Sequence, residues 1–142
     1  TAIQLSKTDS ATCALLDDSS IKCWGVDVNW RSGHLGYGDT DARSIYPSHF
    51  GDNLPAVDLG SGFTPAKLIS SASNLVVCAI STTGTSKCWG QGQYGLLGYE
   101  DTDNRGDNPG EMGDMLPVIN VGPEEWTPKC GTISRNCSPS TL

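Results

Sequence analysis

Six cysteines carry the clearest chemistry in this 142-residue chain, and they fall in three close pairs, Cys13/Cys23, Cys78/Cys88 and Cys130/Cys137. Separations of ten, ten and seven positions do not give the Cys-Xaa-Xaa-Cys spacing of zinc and thioredoxin-like sites. An even count in close pairs points instead to three structural disulfides and an oxidising compartment, outside the cell or at its surface. Each hairpin staple is worth ~2 to 4 kcal/mol by loop entropy, a large share for a module with a limited core.

The other reactive side chains are scattered. Asp101-Thr102-Asp103-Asn104-Arg105-Gly106-Asp107 is an oxygen-rich loop with a glycine turn, and Asp101, Asp103 and Asp107 are its candidate calcium ligands. Arg105 sets a cation among them, and Asp39-Thr40-Asp41-Ala42-Arg43 repeats the layout, so the expected structure is a turn locked by an internal Asp/Arg pair, without cofactor or metal. Arg105-Gly106-Asp107 is also a tripeptide that integrin-type receptors read, but Arg43 is the repeat counterpart of Arg105 and explains it without a receptor. His34 aligns with Leu96 and His49 with Glu111; neither histidine recurs, no Ser/His/Asp or Cys/His arrangement is legible, and no carboxylate pair suggests acid/base work. Catalysis has no support in the sequence, and the chain is read as noncatalytic. Asn136-Cys137-Ser138 fits the N-glycosylation pattern at Asn136, and Thr64, Thr127 and Ser138, each before a proline, could carry O-linked sugar.

What must position these groups is a sequence written twice. Cys13-Ala14-Leu15-Leu16 and Ile21-Lys22-Cys23-Trp24-Gly25 return 65 residues later as Cys78-Ala79-Ile80 and Ser86-Lys87-Cys88-Trp89-Gly90. Pairing the cysteines of each copy leaves three-residue hairpin loops, Asp17-Asp18-Ser19 and Thr82-Thr83-Gly84, whose last position favours a left-handed residue that Gly84 supplies more easily than Ser19. Period-2 alternation places Cys13, Leu15, Ile21 and Cys23 on one face and Ala14, Leu16, Lys22 and Trp24 on the other. Both faces carry apolar residues, so the sheet needs cover on both sides.

A second signature follows at an offset of 62: Gly33-His34-Leu35-Gly36-Tyr37 matches Gly95-Leu96-Leu97-Gly98-Tyr99. The three extra residues of the first copy fall within Val26 to Ser32, a surface loop in which Trp30 and Arg31 are candidate binding residues, beside Arg105 and Asp107 of the acidic loop. The copies close alike, with Gly51-Asp52-Asn53-Leu54-Pro55 matching Gly113-Asp114-Met115-Leu116-Pro117 and each ending in a short apolar strand. Seventeen Gly and eight Pro favour short strands and turns over long helices. A net charge of -7 with nine Lys and Arg offers no basic stripe for nucleic acid, and no apolar run is long enough to span a bilayer.

Taken in order and spacing, Cys-Ala-Leu, Cys-Trp-Gly, Gly-Xaa-Leu-Gly-Tyr and the Asp-Thr-Asp-Xaa-Arg loop resemble the repeat of the regulator of chromosome condensation family over roughly residues 1 to 122. The resemblance implies an all-β fold of four-stranded propeller blades, about seven of which close a ring in that family. Two repeats give an incomplete propeller segment: a first blade over 1–60, a second over 61–122, and over 123–142 the start of a third unit with a disulfide-looped tail. Trp24 and Trp89 are then expected to pack between blades. The family's exchange-factor and chromatin roles conflict with the acidic charge and paired cysteines. The expected function is an extracellular structural or adhesive module that covers its open edges with copies of itself, as a homo-oligomer, ring or filament, or with adjacent repeats. The alternative is a secreted protein-binding or inhibitor domain that contacts another extracellular protein through its loops.

Overall fold

The computed structural model describes residues 1–27 and 32–119. Trp30, Arg31, Thr127, Asn136, Ser138 and the Cys130/Cys137 pair lie outside the described residues, as does the start of a third unit. Two antiparallel meanders make up the fold. Strands β1 (Ala2–Lys7), β2 (Ala11–Leu16) and β3 (Ile21–Gly25) form the first sheet, and β4 (Pro65–Ser71), β5 (Val76–Ser81) and β6 (Ser86–Gly90) the second. Cys13 stands opposite Cys23, and Cys78 opposite Cys88, in matching registers. Both pairs are bonded, with S–S distances of 2.06 and 2.00 Å.

The hairpin tips have the expected three-residue loops. Leu16 N–H donates to Ser20 O at 2.9 Å, and Ser81 N–H to Thr85 O at 2.8 Å, with Ser19 at φ 64° and Gly84 at φ 85° in the left-handed position. The Asp18 carboxylate accepts from both Ser20 N–H (2.9 Å) and Ser20 Oγ–H (2.7 Å), local bonds that offset the cost of a non-glycine residue there.

Each sheet has three strands where four were expected. The segments after Leu54 and Leu116 run beside β3 and β6, but each contributes one backbone bond, Val57 N–H to Ile21 O at 2.7 Å and Ile119 N–H to Ser86 O at 2.8 Å. Pro55 and Pro117 bring no N–H donors to a ladder, so the first closing segment is extended chain and not a ladder strand, as is the second up to Ile119; Val121 and Gly122, its expected end, lie outside the described residues. Tyrosines complete the outer edge of each sheet. Tyr37 Oη accepts from Cys23 N–H (3.0 Å) and donates to Cys23 O (2.9 Å), and Tyr99 Oη does the same at Cys88, with both bonds at 2.9 Å. A side-chain hydroxyl thus takes the place of a neighbouring strand at the disulfide half-cystine, and burial pushes both phenols up from the ordinary tyrosine range. Tyr99→Phe would leave the Cys88 N–H and C=O unpaired and is expected to cost about 1 to 3 kcal/mol, read from the urea midpoint.

Side chains from both sheets build one core between them, including Cys13, Leu15, Ile21 and Cys23 from the first and Leu68, Val77, Ala79 and Trp89 from the second. This is the face assignment expected from the alternation. Among the described residues the opposite face of the first sheet is less covered: Leu5 is 63% exposed, whereas Leu68, at the matching ladder position, is 1% exposed.

Candidate functional site

The contact between the two blades defines what each motif does. Gly-Xaa-Leu-Gly-Tyr is a socket, and the tryptophan of the next blade is its plug. Leu35 sits in the core, the His34 carbonyl accepts from Trp89 Nε1–H at 3.2 Å, and Trp89 is wholly buried. Gly36 makes the room: a Cβ there would stand 2.7 Å from Trp89 Nε1. Gly33 lies against the chain at Gly106 and Asp107, where a Cβ would come within 2.2 Å of Gly106 C, and Gly38 N–H donates to Gly106 O at 3.0 Å.

A lysine recurs beside each tryptophan. Lys87 is 7% exposed, with its Nζ donating to Leu59 O of the first blade (2.7 Å) and Gly113 O of its own (3.0 Å). Burial pulls its ammonium below the ordinary lysine range, opposed by Asp114 and Asp58. Near the first strands, Gln4 clamps the Leu68 backbone, donating to its carbonyl (2.5 Å) and accepting from its N–H (2.9 Å). Ser6 and Ser70 meet through their hydroxyls at 2.7 Å. The interface is therefore an apolar centre ringed by polar bonds, several of them to main-chain groups.

Both halves of this joint recur on the outer faces of the described residues. Trp24 and Lys22 are a second plug, only partly buried, and Lys22 Nζ keeps the bond within its own blade, to Gly51 O at 3.2 Å, the position matching Gly113. Around them Leu5, Leu16, Ala14 and Phe50 line a mostly apolar groove of about 390 Å³. Phe50 is 40% exposed, whereas Met112, its repeat counterpart, packs against the shared core. On the second blade Gly95 to Tyr99 form a second socket, with Leu97 buried and Leu96 42% exposed. Trp89 thus packs between blades as expected, and Trp24 lies at the open end.

The acidic loops are turns held by their own arginines. Arg43 forks onto Asp39 at 2.8 and 2.7 Å and lies 4.1 Å over the Tyr37 ring. Arg105 reaches Asp101 at 2.6 Å and covers Tyr99 at 5.6 Å. Asp101 Oδ1 accepts from Asp103 N–H, while Asp107 Oδ1 is buried without a hydrogen-bond partner, and burial together with Glu111 pushes its carboxyl up. Among the described residues no cluster of three or more His, Cys, Asp or Glu side chains could hold a metal. Arg105 is turned to these internal contacts, and Thr64 precedes β4 with its carbonyl accepting from Thr82 N–H at 2.9 Å.

Asp27 and Ser10, outside any recurring motif, meet His34 of the first socket beside the joint. Asp27 Oδ1 stands 3.3 Å from His34 Nδ1, and His34 Nε2 stands 3.3 Å from Ser10 Oγ, the connectivity of a hydrolase relay that was not legible in the sequence. The imidazole, however, has 0% exposure, and Ser32 Oγ lies closer to its Nδ1, at 2.7 Å. Asp27 also accepts from the N–H groups of Ser32 and Gly33. The network fixes the turn that carries the first socket. Burial raises the Asp27 carboxyl, but His34 and these N–H groups outweigh it and hold the group below the ordinary aspartate range; Arg43, against burial, does the same for Asp39. A carboxyl depressed on folding contributes stability that is present above its unfolded value and lost as pH falls through the folded one. Urea midpoints are therefore expected to hold steady at mildly acidic pH and drop below about pH 4, with Asp27→Asn flattening part of that drop.

No protein-family model and no curated protein matches the chain. Solved structures do. Human WBSCR16 matches with a TM-score of 0.56 and 16% identity, over 75% of this chain and 24% of that one. Prp20p from Saccharomyces cerevisiae, described with its binding to Gsp1p and histones, matches at 0.56 and 11%, over 84% and 26%. Yeast RCC1 (Prp20) bound to Kap60 matches at 0.54 and 13%, over 84% and 25%. The chain spans about a quarter of the length of each. With identities this low the likeness is one of fold, and it agrees with the repeat motifs: the two stapled sheets have the fold of incomplete blades of an RCC1-like β-propeller.

Proposed function

We propose that the chain is a noncatalytic extracellular module whose work is protein association, through blade faces that a neighbouring blade unit covers. The observation that carries this reading is the unequal burial of matching positions, Leu5 at 63% against Leu68 at 1%, with Trp24 partly exposed where Trp89 is enclosed. An apolar sheet face with a ready-made partner geometry favours association over isolation. Two disulfides support an oxidising setting, and among the described residues no helix is long and apolar enough to cross a membrane. The solved propellers named above are described with protein partners, which supports protein binding as the class of activity. The loop-based inhibitor reading has less to draw on, since Arg105 is committed to Asp101.

Light scattering coupled to size-exclusion chromatography tests the proposal. Mass is expected to rise above 15.0 kDa as the load increases; a constant monomer mass at every load contradicts it.

A further inference from the structure

The geometry points to one particular joint between copies: the Trp24 face of one chain seats in the Gly95–Tyr99 socket of a second, head to tail. This rests on the association reading above and says which surfaces carry it. The internal joint is the template. Trp89 enters the first socket by bonding a main-chain carbonyl, His34 O, and by passing over Gly36. In the second socket Leu96 supplies the equivalent carbonyl, so the change of side chain from His to Leu leaves the acceptor in place. Gly98 keeps the positive φ, at 78°, and among the described residues a Cβ there would meet Ile119, at 3.2 Å, the counterpart of Val57. Leu97 is buried as Leu35 is.

The plug matches as well. Lys87 donates once within its blade and once across the joint; Lys22 already makes the first bond, to Gly51 O, and a main-chain carbonyl of the second copy would take the second. Leu5 stands where Leu68 is buried and Phe50 where Met112 packs, which completes the apolar contact. The side-chain bonds at the first strands do not transfer. Lys67 stands in the place of Gln4, Ile69 in that of Ser6 and Lys7 in that of Ser70. The joint between copies therefore lacks the amide clamp and is weaker than the internal one, so it forms reversibly and depends on concentration. Because plug and socket lie on different blades, the contact is heterologous, and it extends into a ring or an open chain.

Sedimentation velocity on the full chain, with variants on each side, tests this. Leu5→Asp and Trp24→Ala disable the plug, and Leu96→Asp the socket; Leu5 and Leu96 are exposed, so these two variants keep the fold, checked by circular dichroism. Each variant alone is expected to stay a monomer at concentrations where the wild type grows. Mixing a plug variant with the socket variant is expected to restore a complex of two chains and no larger one, since one intact plug meets one intact socket. A mixture that remains monomeric, or single variants that grow like the wild type, overturns the head-to-tail joint while leaving association itself standing. A wild type that never grows overturns the association reading along with it.

Discussion

Replacing Trp89 with alanine is expected to cost about 3 to 5 kcal/mol, the range for removing a large aromatic from a packed core. Trp89 is 0% exposed and shares the central cluster with Leu35 and Val57. Its loss would open a cavity between the blades and strip the His34 carbonyl of its indole donor. The matching change at Trp24 is the control. That residue stands at the same repeat position but borders an open groove, so Trp24→Ala should cost about 1 kcal/mol or less in dilute protein. Denaturant titration of the two variants separates them by their midpoints. Equal costs would mean that the two tryptophans have equivalent surroundings, against the blade packing described above.

Removing both disulfides is the second large effect. Each bond closes a loop of about ten residues, which the chain-entropy account values at about 2 to 3 kcal/mol. The bonds lie in different blades and have no shared loop, so their effects should add to about 5 kcal/mol. Single domains are stable by about 5 to 15 kcal/mol in total, and losses of this size bring a small module close to unfolding. A chain carrying Cys13→Ser, Cys23→Ser, Cys78→Ser and Cys88→Ser should thus melt far lower than the wild type, with reduction by thiol reproducing the effect. An unchanged melting temperature under full reduction contradicts the staple role.

The parts of this fold that could be read from the sequence are the local ones. Cys13 and Cys23 lie ten positions apart on two arms of one hairpin, so their spacing, the three-residue tip and the left-handed Ser19 all follow from a single stretch of chain. The Asp39/Arg43 and Asp101/Arg105 pairs are also local, four residues apart. The role of Tyr37 is different: its hydroxyl reaches back 14 residues to the Cys23 backbone, and the motif marks the residue as recurrent without saying that it stands in for a strand. This substitution, with the prolines at 55 and 117, is why four expected strands became three. Lys87 carried a usable signal, since a lysine next to Cys-Trp-Gly in both copies is unusual for a buried joint. Its acceptor at Leu59 is 28 residues away and depends on how the blades dock. The Asp27, His34 and Ser10 network had no repeat signal at all, because His34 is replaced by Leu96 in the second copy. It forms where Asp27, just after β3, and Ser10, just before β2, meet His34.

Self-association depends on whether the Trp24 face is a surface for contact. Sedimentation equilibrium of the wild type beside Trp24→Ala, over the same concentration series, measures this most directly. The wild type is predicted to show a weight-average mass that climbs with concentration, and the variant to hold at 15.0 kDa. Superimposable curves for the two proteins, whether both climb or both stay flat, would contradict it.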